Sequence, residues 1–542
     1  MLSFCSRSIL VAVVICLFSS DCRGQSPVTL RGSILEQGSF VPGRLYIKSA
    51  DGKWFHARSA KSAGLQAVEY SKQRSESIVE IHTAMPADFF VAELPPGTYE
   101  LTVERGKEYF PKTVTVEIPR QQAVEIEIER WVNMASEGWY SGDTHVHRSV
   151  EETKVPLLAE DLNVAFPLTY WVTDSHSSPV GATKSVKSAP TAKPIEVAPG
   201  HILYPMNTEY EIFTYGGKRD TLGAVFVIGH QTPLELSAPP VKPIADLARE
   251  QGALLDLDKH TWPWTPMIVP IMNVDLFELA NNHIWRTEFL FRDWTIETLP
   301  DDWEIETDSE GGWTERGWID FGFKTYYAFL NCGFDMKPTG GTAAGVHPVP
   351  LGFGRVYVHV DGEFTYEKWF AGLKAGNSFV TTGPMLTVTF DGKSPGTKFE
   401  VDPAGPIGCE VRGQVRSATP IDRIEIIVNG EVAETLKPQP VRQPNGSYTV
   451  SLDQKVSWDG SGWVAVRCFQ PRENGRFFYA HTAPVHYRVP DAPLRPRLRE
   501  VRYFLKRVNE EIARWRPVLK PEELAEYERA AEIYSRLLPS AR

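Results

Sequence analysis

The chain runs to 542 residues, which at ~150 residues per domain predicts three or four domains. Hydrophobic residues make up 42% and charged residues 23%, the balance of a globular protein in water. A formal net charge of −11 argues against nucleic acid as a partner, because a surface that binds phosphates leaves a basic excess.

Residues 1–24 read as a signal peptide. Arg7 supplies the positive start, Ile9 to Phe18 the apolar run, and Ser19 to Gly24 a small and polar exit. The apolar run is too short to cross a bilayer, which takes ~20 residues. Cleavage near Gly24 or Gln25 is expected, giving a periplasmic or secreted product; Asp21 before Cys22 fits lipid attachment poorly. No later stretch is long and apolar enough for a transmembrane segment. Three cysteines remain beyond the signal, Cys332, Cys409 and Cys468. In an oxidising compartment Cys409 and Cys468 either pair or stay as two buried thiols.

Residues 25–132 alternate as short strands: Val28 to Gly32, Gly43 to Ile47, Phe89 to Leu94, Tyr99 to Val103 and Val114 to Ile128. This predicts a β-sandwich. It resembles the carboxypeptidase-regulatory-like modules of exported enzymes, and with no cluster of reactive groups it is expected to act as a spacer or docking unit.

In residues 133–388 strands alternate with helical stretches, the rhythm of an α/β barrel or open sheet whose functional groups collect at strand ends. Nine of the 13 histidines fall between His145 and His359. The run Gly138 to His147 places Asp143, His145 and His147 on one face of a strand. Two imidazoles so spaced can reach one metal ion, with a carboxylate joining them; the plain alternative is a chance His-x-His on a solvated edge. Further groups follow at strand ends: Asp174 and His176, Glu209 or Glu211, His230, Asp258 and His260, His283, and His347 after a glycine-rich turn. A helix is predicted over Val241 to Gln251 and another over Phe323 to Asn331. Arg355 could clamp an anionic substrate group, or be an ordinary surface arginine.

Residues 389–489 return to alternation, with Asn429-Gly430 as a hairpin turn, and predict a second β-sandwich. Residues 490–542 carry two apolar stripes at helical spacing, Leu498 to Trp515 and Leu524 to Leu538, broken at Pro517 to Pro521. Such a helical hairpin packs on its own chain more often than it meets an anionic surface or a second copy in self-association.

Imidazoles with carboxylates suit zinc, manganese or iron better than calcium or magnesium. Metal ions lower the pKa of bound water to ~7 and polarise an ester, phosphoester or carbamate oxygen. No nucleophilic triad, P-loop or dinucleotide glycine pattern stands out. The expectation is therefore metal-assisted hydrolysis, with His283 or Asp258 passing protons.

Gly142-Asp-Thr-His-Val-His147 resembles the opening motif of the PHP superfamily of metal-dependent phosphoesterases. Trp171 to His176, Phe277 to His283, Tyr327 to Gly333, Gly354 to Val360 and Ala371 to Pro384 resemble its exported CehA/McbA-type metallohydrolase branch, over about Trp139 to Pro384. The resemblance implies a distorted (β/α)7 barrel, multidomain α/β plus all-β with its flanking sandwiches, and two or three divalent ions, taken here as two, on His145, His147, Asp174, His176, Glu209, His260, His283 and His347. Two departures stand out. The motif before the last histidine reads Gly341-Thr-Ala343, without its carboxylate, and Ala224 stands where a histidine is usual. The expected activity is hydrolysis of a phosphoester, carbamate or carboxylic ester of a small molecule by metal-bound hydroxide. The rival is a degenerate barrel serving as an extracellular binding module.

Overall fold

A computed structural model describes residues 26–181, 190–289, 299–402 and 405–542. The expected signal peptide lies outside the described residues. Among the described residues seven α-helices accompany a strand-rich chain, and no helix is long and apolar enough to cross a membrane.

At the amino-terminal end, a five-stranded sheet and a six-stranded sheet enclose Leu30, Leu45, Phe90, Leu101 and Ile126. Strand alternation sends these side chains inward and their polar neighbours out. The stretch read as one run from Val114 to Ile128 is two strands, Lys112–Ile118 and Ala123–Glu127, interrupted where Pro119 cannot donate to a ladder.

The central region is built on two sheets. One has seven strands in the order Val180–Gly181, Tyr170–Asp174, Asn207–Tyr215, Lys218–Ile228, Leu254–Leu257, Leu276–Ala280 and Lys337–Gly340. The last three run parallel, so their carboxyl ends open on one side. The other, of twelve strands, sets Trp139–Val146 between Val164–Pro167 and Arg355–His359. Backbone pairing among the described residues does not close the seven-membered ring that the resemblance implies. The twelve-stranded sheet continues instead from Ser378–Thr381 to Phe477–Thr482, so the central unit and the carboxy-terminal sandwich share one sheet. The sheets meet where the turn at Gly341 passes under Trp139–Val146, with Ala343 N donating to His145 O at 2.8 Å. A Cβ on Gly341 would stand 2.4 Å from that of His145, so only glycine fits this crossing.

Helix α1 (Val150–Ala159) starts immediately after the histidine pair, fixed by a capping box between Ser149 and Glu152. Helices α2 (Lys242–Glu250), α3 (Thr265–Met272), α4 (Glu315–Asn331) and α5 (Tyr366–Ala375) complete the central unit. A four-stranded sheet packs on the far half of the twelve-stranded one across Val411, Val415, Ile426 and Val466. Asn429 and Gly430 both have positive φ, the geometry of the tight hairpin the sequence predicts. Cys332, Cys409 and Cys468 are free and buried.

Helices α6 (Leu498–Trp515) and α7 (Pro521–Leu537) form the expected hairpin and lie on their own chain, burying Phe504, Trp515, Tyr527 and Tyr534 against the central core. At ~1.5–3 kcal/mol per fully buried large apolar side chain, this contact is a strong one. Glu526 of α7 accepts from Val241 N and Lys242 N, satisfying donors at the start of α2.

The amino-terminal sandwich is more than a spacer. Its Arg44 pairs with Glu160 at the end of α1 and Arg105 with Asp161 at 2.6 Å. Glu80 takes Arg286 of the central unit at 2.9 Å. Tyr70 donates to the carbonyl of His347 and accepts from Gly345 N at 3.0 Å.

Candidate metal centre

The strand Trp139–Val146 is buried along almost its whole length and ends with His145 and His147 facing one another. Their Nε2 atoms are 3.1 Å apart, and His147 Nε2 lies 3.3 Å from Glu209 Oε2. Glu209 stands on the adjoining sheet, in Asn207–Tyr215. Its carboxylate is buried and neither oxygen receives a hydrogen bond. Burial, reinforced by Glu211, raises its proton affinity well above that of an ordinary glutamate.

The other face of His145 is held by Glu278, whose Oε2 lies 3.0 Å from Nδ1. A proton on Nδ1, facing Glu278, would turn the Nε2 lone pair toward His147. Burial holds both imidazoles below their usual range, His147 down to about 3, so both rings are neutral near pH 7. Metal ligation requires this form.

Among the described residues two groups could hold a cation: His145, His147 and Glu209, and His145, Asp258 and Glu278. The first fits the geometry of a transition metal. Bonds of ~2.0–2.1 Å at tetrahedral angles put ligand atoms roughly 3.4 Å apart, close to the 3.1 and 3.3 Å observed. The second uses Nδ1 of the same imidazole, 3.9 Å from Asp258, so a neutral His145 cannot serve both groups at once. Asp258 is also in contact with the ammonium of Lys259. Burial works against that charge, but Asp258, Glu211 and Glu209 outweigh it and keep Lys259 protonated.

His283 and His347 lie beside the triad, their ring centroids 5.5 Å apart, with Trp285 5.6 Å from His347 and Trp318 5.3 Å from His283. Asn281 positions His283: its Oδ1 is 2.9 Å from His283 Nδ1, while its Nδ2 donates to Asp258 Oδ1 at 3.0 Å. His347 Nδ1 is buried without a hydrogen-bond partner. Trp171 forms a further wall, 5.4 Å from His147.

Five expected ligands or catalytic groups are placed elsewhere or differently. Asp174 and His176 lie outside the cluster. Trp171, not Asp174, is level with Glu209; Asp174 pairs with Thr214, five residues farther on, about 16 Å along a strand. His176 is taken by Glu523 of α7 at 2.6 Å. His260 belongs to neither candidate group and packs among Phe277, Trp318 and Phe321. Arg355 does not reach the centre: its guanidinium donates to Gly352 O at 2.6 Å and Glu160 O at 3.2 Å. Asp258, expected to pass protons, is bound to Lys259 and Asn281. His230 is a satisfied core residue between Thr208 Oγ1 and Thr232 O. Asp143, on the face expected to add a carboxylate, instead accepts from Thr342 Oγ1 at 2.6 Å and Gly352 N at 2.9 Å, anchoring the loop that carries His347.

Glu278 and Lys259 escape the sequence reading. Glu278 is the charged residue inside the otherwise apolar, fully buried strand Leu276–Ala280; a charge there needs a polar partner, and that is the signal that would have found it. Comparisons with protein-family models, with curated proteins and with solved structures each return no match.

Proposed function

We propose that this chain is a metal-dependent hydrolase of the PHP type, resembling its CehA/McbA branch, and that it binds one divalent transition metal, zinc or manganese. His145 Nε2, His147 Nε2 and Glu209 are its ligands. The observation that carries this reading is the Glu209 carboxylate, buried without a donor beside two neutral imidazoles whose Nε2 atoms converge. Leaving such a carboxylate uncompensated costs several kcal/mol, and a cation offsets that cost. Glu278 orients His145 through Nδ1, the role a carboxylate commonly plays behind a metal-bound histidine.

When bound, the ion would activate water and polarise the scissile group of an ester, phosphoester or carbamate. The chain's own residues would do the rest. Asn281, held by Asp258, faces His283 Nδ1; with the proton on Nδ1, Nε2 would be the basic atom of the ring, the one to accept and return a proton. Trp171, Trp285 and Trp318 supply apolar walls that limit water and accept a flat or hydrophobic substrate portion. The distorted barrel belongs to this proposal, as does export, supported by Arg7 and the apolar run Ile9 to Phe18.

Lys259 favours a second reading. Its ammonium already neutralises Asp258 from within hydrogen-bonding contact, as a built-in cation would in a centre that binds a ligand without catalysis. Elemental analysis of the purified protein, with turnover of chromogenic esters before and after chelation, separates the two. One equivalent of metal with chelator-sensitive turnover supports the enzyme. Metal well below one equivalent and no turnover after zinc or manganese is added sinks it.

A further inference from the structure

A cavity of about 210 Å³ lies at the seam where the amino-terminal sandwich, the loop after His347 and the carboxy-terminal sandwich meet. It is lined by Arg44, Lys107, Trp131, Phe353 and Phe478, among others. Glu104, Glu160 and Arg286 line it as well. Arg44 is matched by Glu104 and Glu160, and Arg286 by Glu80. Lys107 at the cavity wall forms no ion pair among the described residues, and its ammonium lies 3.8 Å from the centre of the Phe353 ring and 5.2 Å from that of Phe478. Arg355 and Arg472 close by bond only to backbone carbonyls, and each keeps a buried Nη1 without a partner. Two further donors on the lining are buried and unpartnered, Arg44 Nε and Trp131 Nε1; the two residues are 3% and 5% exposed.

An unpaired ammonium and two orphaned N–H groups on residues of one cavity wall are each costly, and a single bound anion relieves them together. Burial, with Arg355 and Arg44 nearby, pushes the Lys107 ammonium well below the ordinary lysine value, and an anion would reverse that push. The volume is below the ~300 Å³ at which drug-sized sites begin, which limits the occupant to a small molecule. The aromatic walls leave room for a short apolar body beside the charge.

We propose that this cavity is a binding site for a small oxyanion, with Lys107 as counter-ion and Arg44 Nε and Trp131 Nε1 as donors. It is separate from the metal centre and does not depend on the function proposed for it. Pro350 and Phe353 come from the loop that follows His347, so an occupant would brace that loop from behind.

The test is thermal unfolding of the full-length protein titrated with acetate, benzoate, phosphate or sulfate against chloride at equal ionic strength. The chain is compared with Lys107→Met, which keeps the packing stem, and with His147→Ala, which removes anion binding through a metal. A saturable rise in midpoint is expected with at least one oxyanion. It should be retained in His147→Ala and its apparent affinity weakened about tenfold or more, ~1.4 kcal/mol, in Lys107→Met. Carboxylates acting alone would identify an organic acid, and phosphate or sulfate a tetrahedral ion. Lys107→Met loses a half-buried charge that has no ion-pair partner and should fold at least as well as the parent, so a null result cannot be blamed on misfolding. Equal response in the parent and Lys107→Met, no response beyond chloride, or loss of response in His147→Ala would overturn the proposal.

Discussion

Two buried glutamate–histidine pairs in this molecule, Glu80 with His82 and Glu209 with His147, differ in what surrounds them. In the seam between the amino-terminal sandwich and the central unit, Glu80 accepts from Tyr46 at 2.5 Å, meets His82 Nδ1 at 2.7 Å and pairs with Arg286 at 2.9 Å. These partners outweigh burial and draw its proton affinity below the ordinary carboxylate value. Glu209 is as deeply buried beside His147, has no hydrogen-bond donor, and shifts the opposite way. Burial of ionisable groups therefore does not mark a site by itself. A buried charge whose counter-charge the chain supplies belongs to the architecture, and one left without it points to something that must arrive.

The largest effect is expected where the proposed cation would bind. His147→Ala should abolish metal retention and metal-dependent turnover, costing more than the ~10–100-fold in affinity that loss of a ligand's hydrogen-bonding partner costs; elemental analysis and ester hydrolysis read both. The seam should answer in stability instead. Glu80→Gln leaves the half-buried Arg286 without its carboxylate and is expected to cost ~1.5–3 kcal/mol in denaturant unfolding while metal content stays unchanged. A drop in metal content in that variant would break the contrast.

The seam also has its own pH dependence. Burial lowers His82 from the ordinary 6.5 to about 4, so between those values the unfolded chain binds the proton more readily than the folded one. Stability is therefore lost as pH falls from about 6.5 to about 4, by up to ~3 kcal/mol. Glu80, lowered, adds a loss only below the ordinary carboxylate range. Unfolding across this window should be flatter in His82→Gln than in the parent. At the centre, Glu278→Gln should weaken metal binding by ~10–100-fold without abolishing it, because it orients His145 from behind. Loss as complete as in His147→Ala would make Glu278 a ligand. The smallest effect is expected from Tyr70→Phe, which removes hydrogen bonds to the loop of His347 and should cost about 1 kcal/mol of stability, with turnover reduced but retained.

Much of the fold was legible because local pattern encodes it. Alternation announced both sandwiches, the 3.6-residue period announced α6 and α7, and Asn429-Gly430 announced its hairpin. The histidine pair was legible for the same reason: residues two apart on a strand share a face whatever the rest of the chain does. Asp174 and His176 have the same spacing and misled, because their strand carries them along its own axis toward α7, where Glu523 takes His176.

What the sequence by itself determined was the set of elements, the adjacency of His145 and His147, and the inward face on which they stand. Which carboxylates join them was decided only in three dimensions. Glu209 comes from the other sheet, Glu278 lies 133 residues from His145 along the chain, and Lys259 intrudes on Asp258. The physical reason is range. Backbone geometry fixes neighbours within a few residues, whereas the pairing of charges in a dry interior depends on which strands the sheets bring side by side and how far each is shifted in register.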